Sequence, residues 1–337
     1  ALSGFAIAYD WLYDKWSEEE KLYLEECMMN KGLEYGLIAE TGNWENSVGG
    51  VRWCYTPTSE KNVLGNWQIV CQSGLILGAT ALMDKYPDIC SKLIETGLRN
   101  IEYSMPEYDP NGAFVEGTNY WSFTTEHMTQ LLATLDAAFG SDYGFGDYPS
   151  FSQTWKYALA MNGPGGAFNF GDATYDGEKL DTACMGYFSS NNNYKALMQS
   201  RTVNTAAPSL YDMGFLNPRE DPDAPELEKD MYFFGDDSGM MRSGWENTDE
   251  TYLAYHVGAN TAGHGHIDTG VFVFDSMGVR WSSLLGMDNY QIKDYGQLGD
   301  YETSYRMRAE GNNTLVINPD LSNGQSKEKY NEYYNQY

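Results

Sequence analysis

His264 and His266 stand one residue apart in AGHGHIDTGVFVFD (262–275), and they are two of the four histidines in this chain. An imidazole changes charge near neutral pH, so a closely spaced pair invites three chemical readings. On a strand, both rings would point to one face. They can be solvated turn residues beside the flexible Gly263 and Gly265. They can be half of a zinc site, which would need a third and usually a fourth ligand, with Asp268 the nearest in sequence. Or one of them can move a proton, which needs a second acid or base within reach.

The stretch PNGAFVEGTNYWSF (110–123) offers such a group. A glycine-flanked loop entering a helix holds Glu116, Asn119, Tyr120 and Trp121 together, although the same aromatics would also plug a core. Upstream, GNWQIVCQSG (65–74) places Asn66 at the start of an apolar helix. There an amide can cap the helix or donate a hydrogen bond to an anionic ligand at its N-terminus. His127 within TTEHMTQLL reads as a packed helix histidine, and His256 in YLAYHVG as a strand residue of core or cleft.

These residues must be positioned by two kinds of element. FAIAYDWLYDKW, NWQIVCQSGLILGATALMDKYP, ICSKLIETGLRNIEYSM, SFTTEHMTQLLATLDAAFG and SQTWKYALAMN carry apolar residues at helical spacing. In WSEEEKLYLEECMMNKGLEYG, Ser17 with Glu20 three residues on forms a capping box. Successive helices of this kind predict paired helices packed as an arc or toroid. From about residue 230 the period becomes two: MYFFGDDSGMMRSGW, TYLAYHVG, TGVFVFDSMGVRW and NTLVIN read as strands. Helices first and strands afterwards predict a multidomain α+β chain. The expected division is a helical domain over 1–216, a Pro- and acid-rich linker over 217–230, and a strand domain over 231–337. The chain opens inside a helix pattern and holds too few strands to finish a sandwich, so a fragment of a longer protein is expected.

Composition narrows the partners. A net charge of −27, from 48 acidic and 21 basic side chains, repels nucleic acid and anionic membranes. Aromatic content is 15%, with 27 Tyr and 9 Trp, which suits flat sugar platforms but would equally fill a large core. Cys27, Cys54, Cys71, Cys90 and Cys184 contain no CxxC pair and read as free thiols, favouring a reducing compartment. No basic n-region opens the chain, and no stretch approaches the roughly 18 apolar residues of a membrane span. The protein is expected to be soluble, with its compartment and oligomeric state unassigned.

Taken in order, Asn-Trp at a helix start, NGAFVEGTNYW, MMRSGW and HGHIDTGVFVFDSMGVRW resemble the heparinase II/III-like polysaccharide lyases. The likeness runs from SGFAIAYDWLYD to AEGNNTLVINP. It implies an incomplete (α/α) toroid followed by an antiparallel β-sandwich, and β-elimination on a uronic-acid polymer of glycosaminoglycan or alginate-like type. By motif position, Asn66 would neutralise the uronate carboxylate, Tyr120 would be the acid or base beside C5 and the leaving oxygen, and His264 would be its partner base. Trp67, Glu116, Asn119, Trp121, Arg242 and His256 would line the substrate, with Trp53 a further platform. Arg52, Arg242, Arg306 and Arg308 would make the cleft locally positive.

The resemblance makes His266 a zinc ligand, yet Leu284 stands at the slot where an aspartate is expected and Asn312 where a histidine is expected. Leucine cannot ligate and an amide oxygen is a poor zinc donor, so no cofactor is expected, and Asp268 is assigned to orient a histidine. Two other readings stay open. A glycoside hydrolase would need two facing carboxylates, with Glu116 and Asp172 of NFGDATYDG the best pair. A non-catalytic carbohydrate-binding homologue would keep the fold without turnover.

Overall fold

The computed structural model describes residues 1–40, 65–175, 227–245, 249–260, 264–288, 290 and 304–316. They form two compact units interleaved in sequence. The first comprises Ala1–Pro106 and Thr124–Tyr148, and the second Glu107–Phe123 and Pro149–Tyr337. The anticipated linker at 217–230 lies mostly outside the described residues.

The first unit is helical. α1 (Leu2–Trp11), α2 (Glu18–Met28), α3 (Glu34–Glu40), α4 (Gly65–Leu82) and α5 (Pro87–Ser104) follow one another. The capping box forms: Ser17 N–H donates to Glu20 Oε2 at 2.8 Å, and Glu20 N–H to Ser17 Oγ at 3.3 Å. α4 is apolar nearly all round and buries Ile69, Leu75, Ile76, Leu77, Ala79 and Leu82, as a helix enclosed on several sides must. Gly97 lets α5 approach it closely, since a Cβ there would lie 2.8 Å from Ile76 Cγ1. No helix among the described residues is long and apolar enough to cross a membrane.

A long helix, α6 (Gly117–Phe139), begins in the second unit and continues in the first. In the second unit come α7 (Trp155–Ala160) and a short hairpin, β1 (Asn162–Gly163) with β2 (Gly166–Ala167). Five antiparallel strands follow as a meander in chain order: β3 (Asp230–Phe233), β4 (Ser238–Arg242), β5 (Tyr252–His256), β6 (Val271–Ser276) and β7 (Val279–Ser282). Met240, Ala254 and Val273 fall opposite one another in register and are all buried, which is the alternation that fixes strand pairing.

Arg280 ties the hairpin to the sheet. Its guanidinium pairs with the buried Asp275 at 2.7 Å and donates to the carbonyls of Ala167 (2.8 Å) and Gly166 (2.7 Å). Gly163 packs on the Tyr252 ring, where a Cβ would sit 2.3 Å away. This anchored hairpin delivers the chain into residues 168–172. One strand expectation differs: among the described residues, 313–316 of NTLVIN pair with no strand, and 317–318 lie outside them. Instead the Asn313 side chain accepts from Phe272 N–H (3.1 Å) and donates to Phe272 O (2.6 Å), so an amide group takes the place of a strand's backbone pair.

Candidate functional site

Within the second unit, three separate stretches of chain converge on one buried carboxylate. Asp172 Oδ2 lies 2.9 Å from His264 Nδ1, Asp172 Oδ1 lies 2.8 Å from His266 Nε2, and the Tyr290 hydroxyl donates to Asp172 Oδ2 at 2.8 Å. Tyr290 in turn shares a 2.7 Å hydrogen bond with the Tyr120 hydroxyl. The Tyr120 ring stacks on His264, with centroids 3.7 Å apart and planes 19° from parallel. Glu116 Oε1 stands 3.8 Å from His264 Nε2, beyond hydrogen-bond range but close enough to attract an imidazolium.

Backbone geometry explains how these groups are held. Tyr120 sits in the first turn of α6, whose start is set by Gly117 at φ +83 and fastened by Thr118 Oγ1 donating to Phe168 O at 3.2 Å. His264 and Gly171 are both left-handed, at φ +57 and φ +58. Such a backbone costs a non-glycine residue roughly 1–3 kcal/mol and persists where neighbours enforce it. Here Asp172 N–H donates to His264 O at 3.0 Å, and a Cβ on Gly171 would come within 3.0 Å of that oxygen. Asp268 Oδ2 accepts from Gly171 N–H at 2.8 Å and completes the clasp. Asp268 therefore braces the backbone facing His264. The carboxylate that orients both histidines is Asp172, which comes from a distant segment.

Electrostatics set the starting protonation states. Burial on its own would raise the Asp172 carboxyl, but hydrogen bonds from His264, His266 and Tyr290 outweigh it and hold the group well below the usual carboxylate range. Burial pushes the Tyr120 phenol up to about 12, with the Asp172 and Glu116 charges adding to the rise. Burial also raises Tyr290, reinforced by the Asp172 charge and by its bond to that carboxylate. At neutral pH, then, Tyr120 carries its proton and Asp172 carries its charge.

Of the residues singled out from sequence, Glu116, Tyr120, His264 and His266 are brought together, with Asn119 half-buried beside Tyr120 in α6. Asn66 is the second residue of α4, buried, and Trp67 beside it is exposed; both belong to the first unit, as does His127. Trp121 is not a sugar platform: its ring is buried and its indole N–H donates to Thr154 Oγ1 at 2.7 Å. Arg242 is buried, paired with Glu250 and stacked 3.6 Å from the Trp245 ring, so it lends no free charge to a cleft. His256 is buried and stacked on Phe170 at 4.4 Å, a packing role. Arg306 pairs with Asp288 at 3.0 Å and Arg308 with Glu310 at 3.3 Å. Every arginine described in this unit is thus paired with a carboxylate. Arg52 and Trp53 lie outside the described residues.

The zinc ligand set does not fit. Leu284 is buried, and its carbonyl accepts from Asn169 Nδ2 at 3.3 Å. Asn312 turns its Nδ2 toward the carbonyls of Arg306 (3.2 Å) and Arg308 (2.9 Å). Asp288, the nearest carboxylate to the expected slot, takes Ser304 Oγ at 2.6 Å as well as Arg306. His266 turns its Nε2 to Asp172. Among the described residues no group of three or more His, Cys, Asp or Glu is set to hold a metal ion. Tyr290 is the residue that sequence reasoning missed, since it stands in no recognisable motif.

No family model matches the sequence, and no curated protein matches it either. Solved structures do resemble the fold. Heparinase III superposes with a TM-score of 0.57 at 14% identity, covering 80% of this chain and 41% of that one. A variant of the heparan sulfate lyase HepC from Pedobacter heparinus gives 0.51 at 11% identity, covering 72% of this chain and 35% of its own. A further heparinase III gene product gives 0.50 at 12%, covering 77% and 38%. The chain therefore spans about two fifths of the length of these structures, and at such identities the likeness is one of fold.

Proposed function

We propose that this chain carries the catalytic region of a polysaccharide lyase that cleaves a uronic-acid-containing polysaccharide by β-elimination and leaves an unsaturated uronate. The observation that carries this reading is the Tyr120 ring stacked 3.7 Å over His264, with Asp172 behind the imidazole. Likeness of fold to heparinase structures supports it, as does the order of the sequence motifs. The architecture that goes with the proposal is an incomplete (α/α) toroid followed by an antiparallel β-sandwich, to which the helices of the first unit and the five-stranded sheet would belong.

The proton held on Tyr120 suits it to the acid role and leaves the base to His264. His264 Nε2 takes the C5 proton. The freed electron pair passes through an aci-carboxylate to form the C4–C5 double bond as the C4–O bond breaks. Tyr120, still protonated at neutral pH, gives its proton to the leaving oxygen, and both groups then exchange protons with solvent. Each transfer is of the kind worth about 10²–10⁴-fold in rate. Stabilisation of the aci-carboxylate is assigned to Asn66 on motif resemblance alone.

Two features shape the alternatives. The arginines described in the second unit are all paired, which favours a weakly charged uronan over a heavily sulfated chain. Asp172 is enclosed by three donors, which suits an orienting carboxylate and counts against the hydrolase pair with Glu116. The test is to incubate the protein with a panel of uronate polymers and follow the ultraviolet absorbance of the unsaturated product alongside reducing ends. The proposal expects both to rise together on at least one polymer. Reducing ends without absorbance would identify a hydrolase, and binding without either would identify a non-catalytic homologue.

A further inference from the structure

Asp172 uses both carboxylate oxygens on histidines: Oδ2 faces His264 Nδ1 at 2.9 Å and Oδ1 faces His266 Nε2 at 2.8 Å. An ionised carboxylate can only accept hydrogen bonds, so a neutral imidazole beside it must present an N–H. The two histidines approach through different ring nitrogens. We propose that Asp172 is a positioning residue that fixes opposite tautomers on these histidines, Nδ1–H on His264 and Nε2–H on His266.

The consequence falls on His264. With its proton committed to Nδ1, the Nε2 lone pair is left as the basic site, on a side chain that keeps 27% of its surface exposed. His266, with 2% of its side chain exposed, is held as a buried strut. When Nε2 gains a proton, the imidazolium lies between Asp172 and Glu116, whose Oε1 is 3.8 Å from Nε2. The same carboxylate orders the tyrosines. Because Tyr290 must donate to Asp172, its oxygen is left to accept from Tyr120, so the Tyr120 O–H points along a defined path. One buried anion thus sets the direction of the proton at four groups. The catalytic importance of this arrangement rests on the lyase reading, but the tautomers themselves do not.

The test needs no turnover, so its failure is separate from failure of the proposed reaction. Long-range ¹H–¹⁵N spectra of the ¹⁵N-histidine-labelled protein, recorded above the range where histidines are protonated, distinguish a bare ring nitrogen from one bearing hydrogen. With four histidines in the chain, His264→Gln and His266→Gln spectra assign the signals. The expected result is a bare Nε2 on His264 and a bare Nδ1 on His266. In Asp172→Asn, one carboxylate oxygen becomes an NH₂ donor, so at least one of the two histidines switches its bare nitrogen. A wild-type His264 with hydrogen on Nε2 would overturn the proposal whether or not the variant folds. So would a folded Asp172→Asn protein whose two histidines keep both wild-type tautomers.

Discussion

The second unit contains two buried aspartates in nearly the same company, and they come out oppositely. Asp172 faces two histidines and a tyrosine. Asp236 accepts from Tyr157 Oη at 2.6 Å and from Ser238 Oγ at 2.6 Å, with His256 near enough to act on it through charge. At Asp236 burial prevails, and the carboxyl is raised above its ordinary value despite those donors. At Asp172 burial works in the same direction but loses to the hydrogen bonds from His264, His266 and Tyr290. The contrast lies in geometry and access. His256 stacks on Phe170 with its Nδ1 unpartnered among the described residues, whereas both histidines at Asp172 aim a ring nitrogen at an oxygen. His264 also keeps a face open to solvent. The same residue types therefore build an ionised, partly accessible cluster in one place and a sealed structural one in the other.

The largest expected effect separates the clusters by activity. Tyr120→Phe and His264→Gln should each lower kcat/KM on the responsive uronan by about 10²–10⁴-fold with the fold intact. Tyr157→Phe, at the sealed cluster, should leave turnover of the folded protein within a few-fold while lowering stability by about 1–3 kcal/mol, since a buried acceptor loses its donor. Equal activity losses at both clusters would erase the distinction.

Stability against pH sharpens it further, because the signs oppose. A carboxyl lowered by folding, as at Asp172, contributes stability that is present above the unfolded value of about 3.9 and lost as pH falls through the folded value. A carboxyl raised by folding, as at Asp236, contributes stability that is present below that unfolded value and lost as pH rises through the folded one. Melting temperatures should therefore show the deficit of Asp172→Asn shrinking in acid. Asp236→Asn should instead gain on wild type as pH rises from acid to neutral. At neutral pH we expect Asp172→Asn to cost about 1.5–3 kcal/mol, as for loss of hydrogen bonds to a charged group.

A smaller effect tests the clasp. Gly171→Ala should cost about 1–2 kcal/mol for its left-handed backbone, and the new Cβ crowds His264 O, so activity should fall as well. Smallest of all, Trp67→Ala on an exposed position should change stability within about 0.5 kcal/mol, measured by denaturant titration.

What was legible in the sequence was mostly local. The capping box at Ser17, the apolar periodicity of α4 and α5 and the alternation of β4 to β6 are written in neighbouring residues, and all of them form. Tyr120 and His264 stood out because motifs flank them. Asp172 stood out only as a hydrolase carboxylate and not as the partner of His264, since it is 92 residues away and only the folded hairpin and the Gly171 clasp bring it there. Exposure was equally hidden. Trp121 and Arg242 have the types a sugar site uses, but residue type does not reveal that Thr154 and Glu250 already occupy them. Asn313 shows the reverse error, where a strand-like run supplies a side chain to an existing strand instead of a strand of its own.

The proposed step is removal of the C5 proton by His264 as Tyr120 protonates the leaving oxygen. It is tested most directly with a responsive uronan deuterated at C5, followed by mass spectrometry of the fragments. The expected product is an unsaturated uronate end that has lost its deuterium, with the loss abolished in His264→Gln. Fragments that keep the C5 deuterium on a saturated sugar would contradict it.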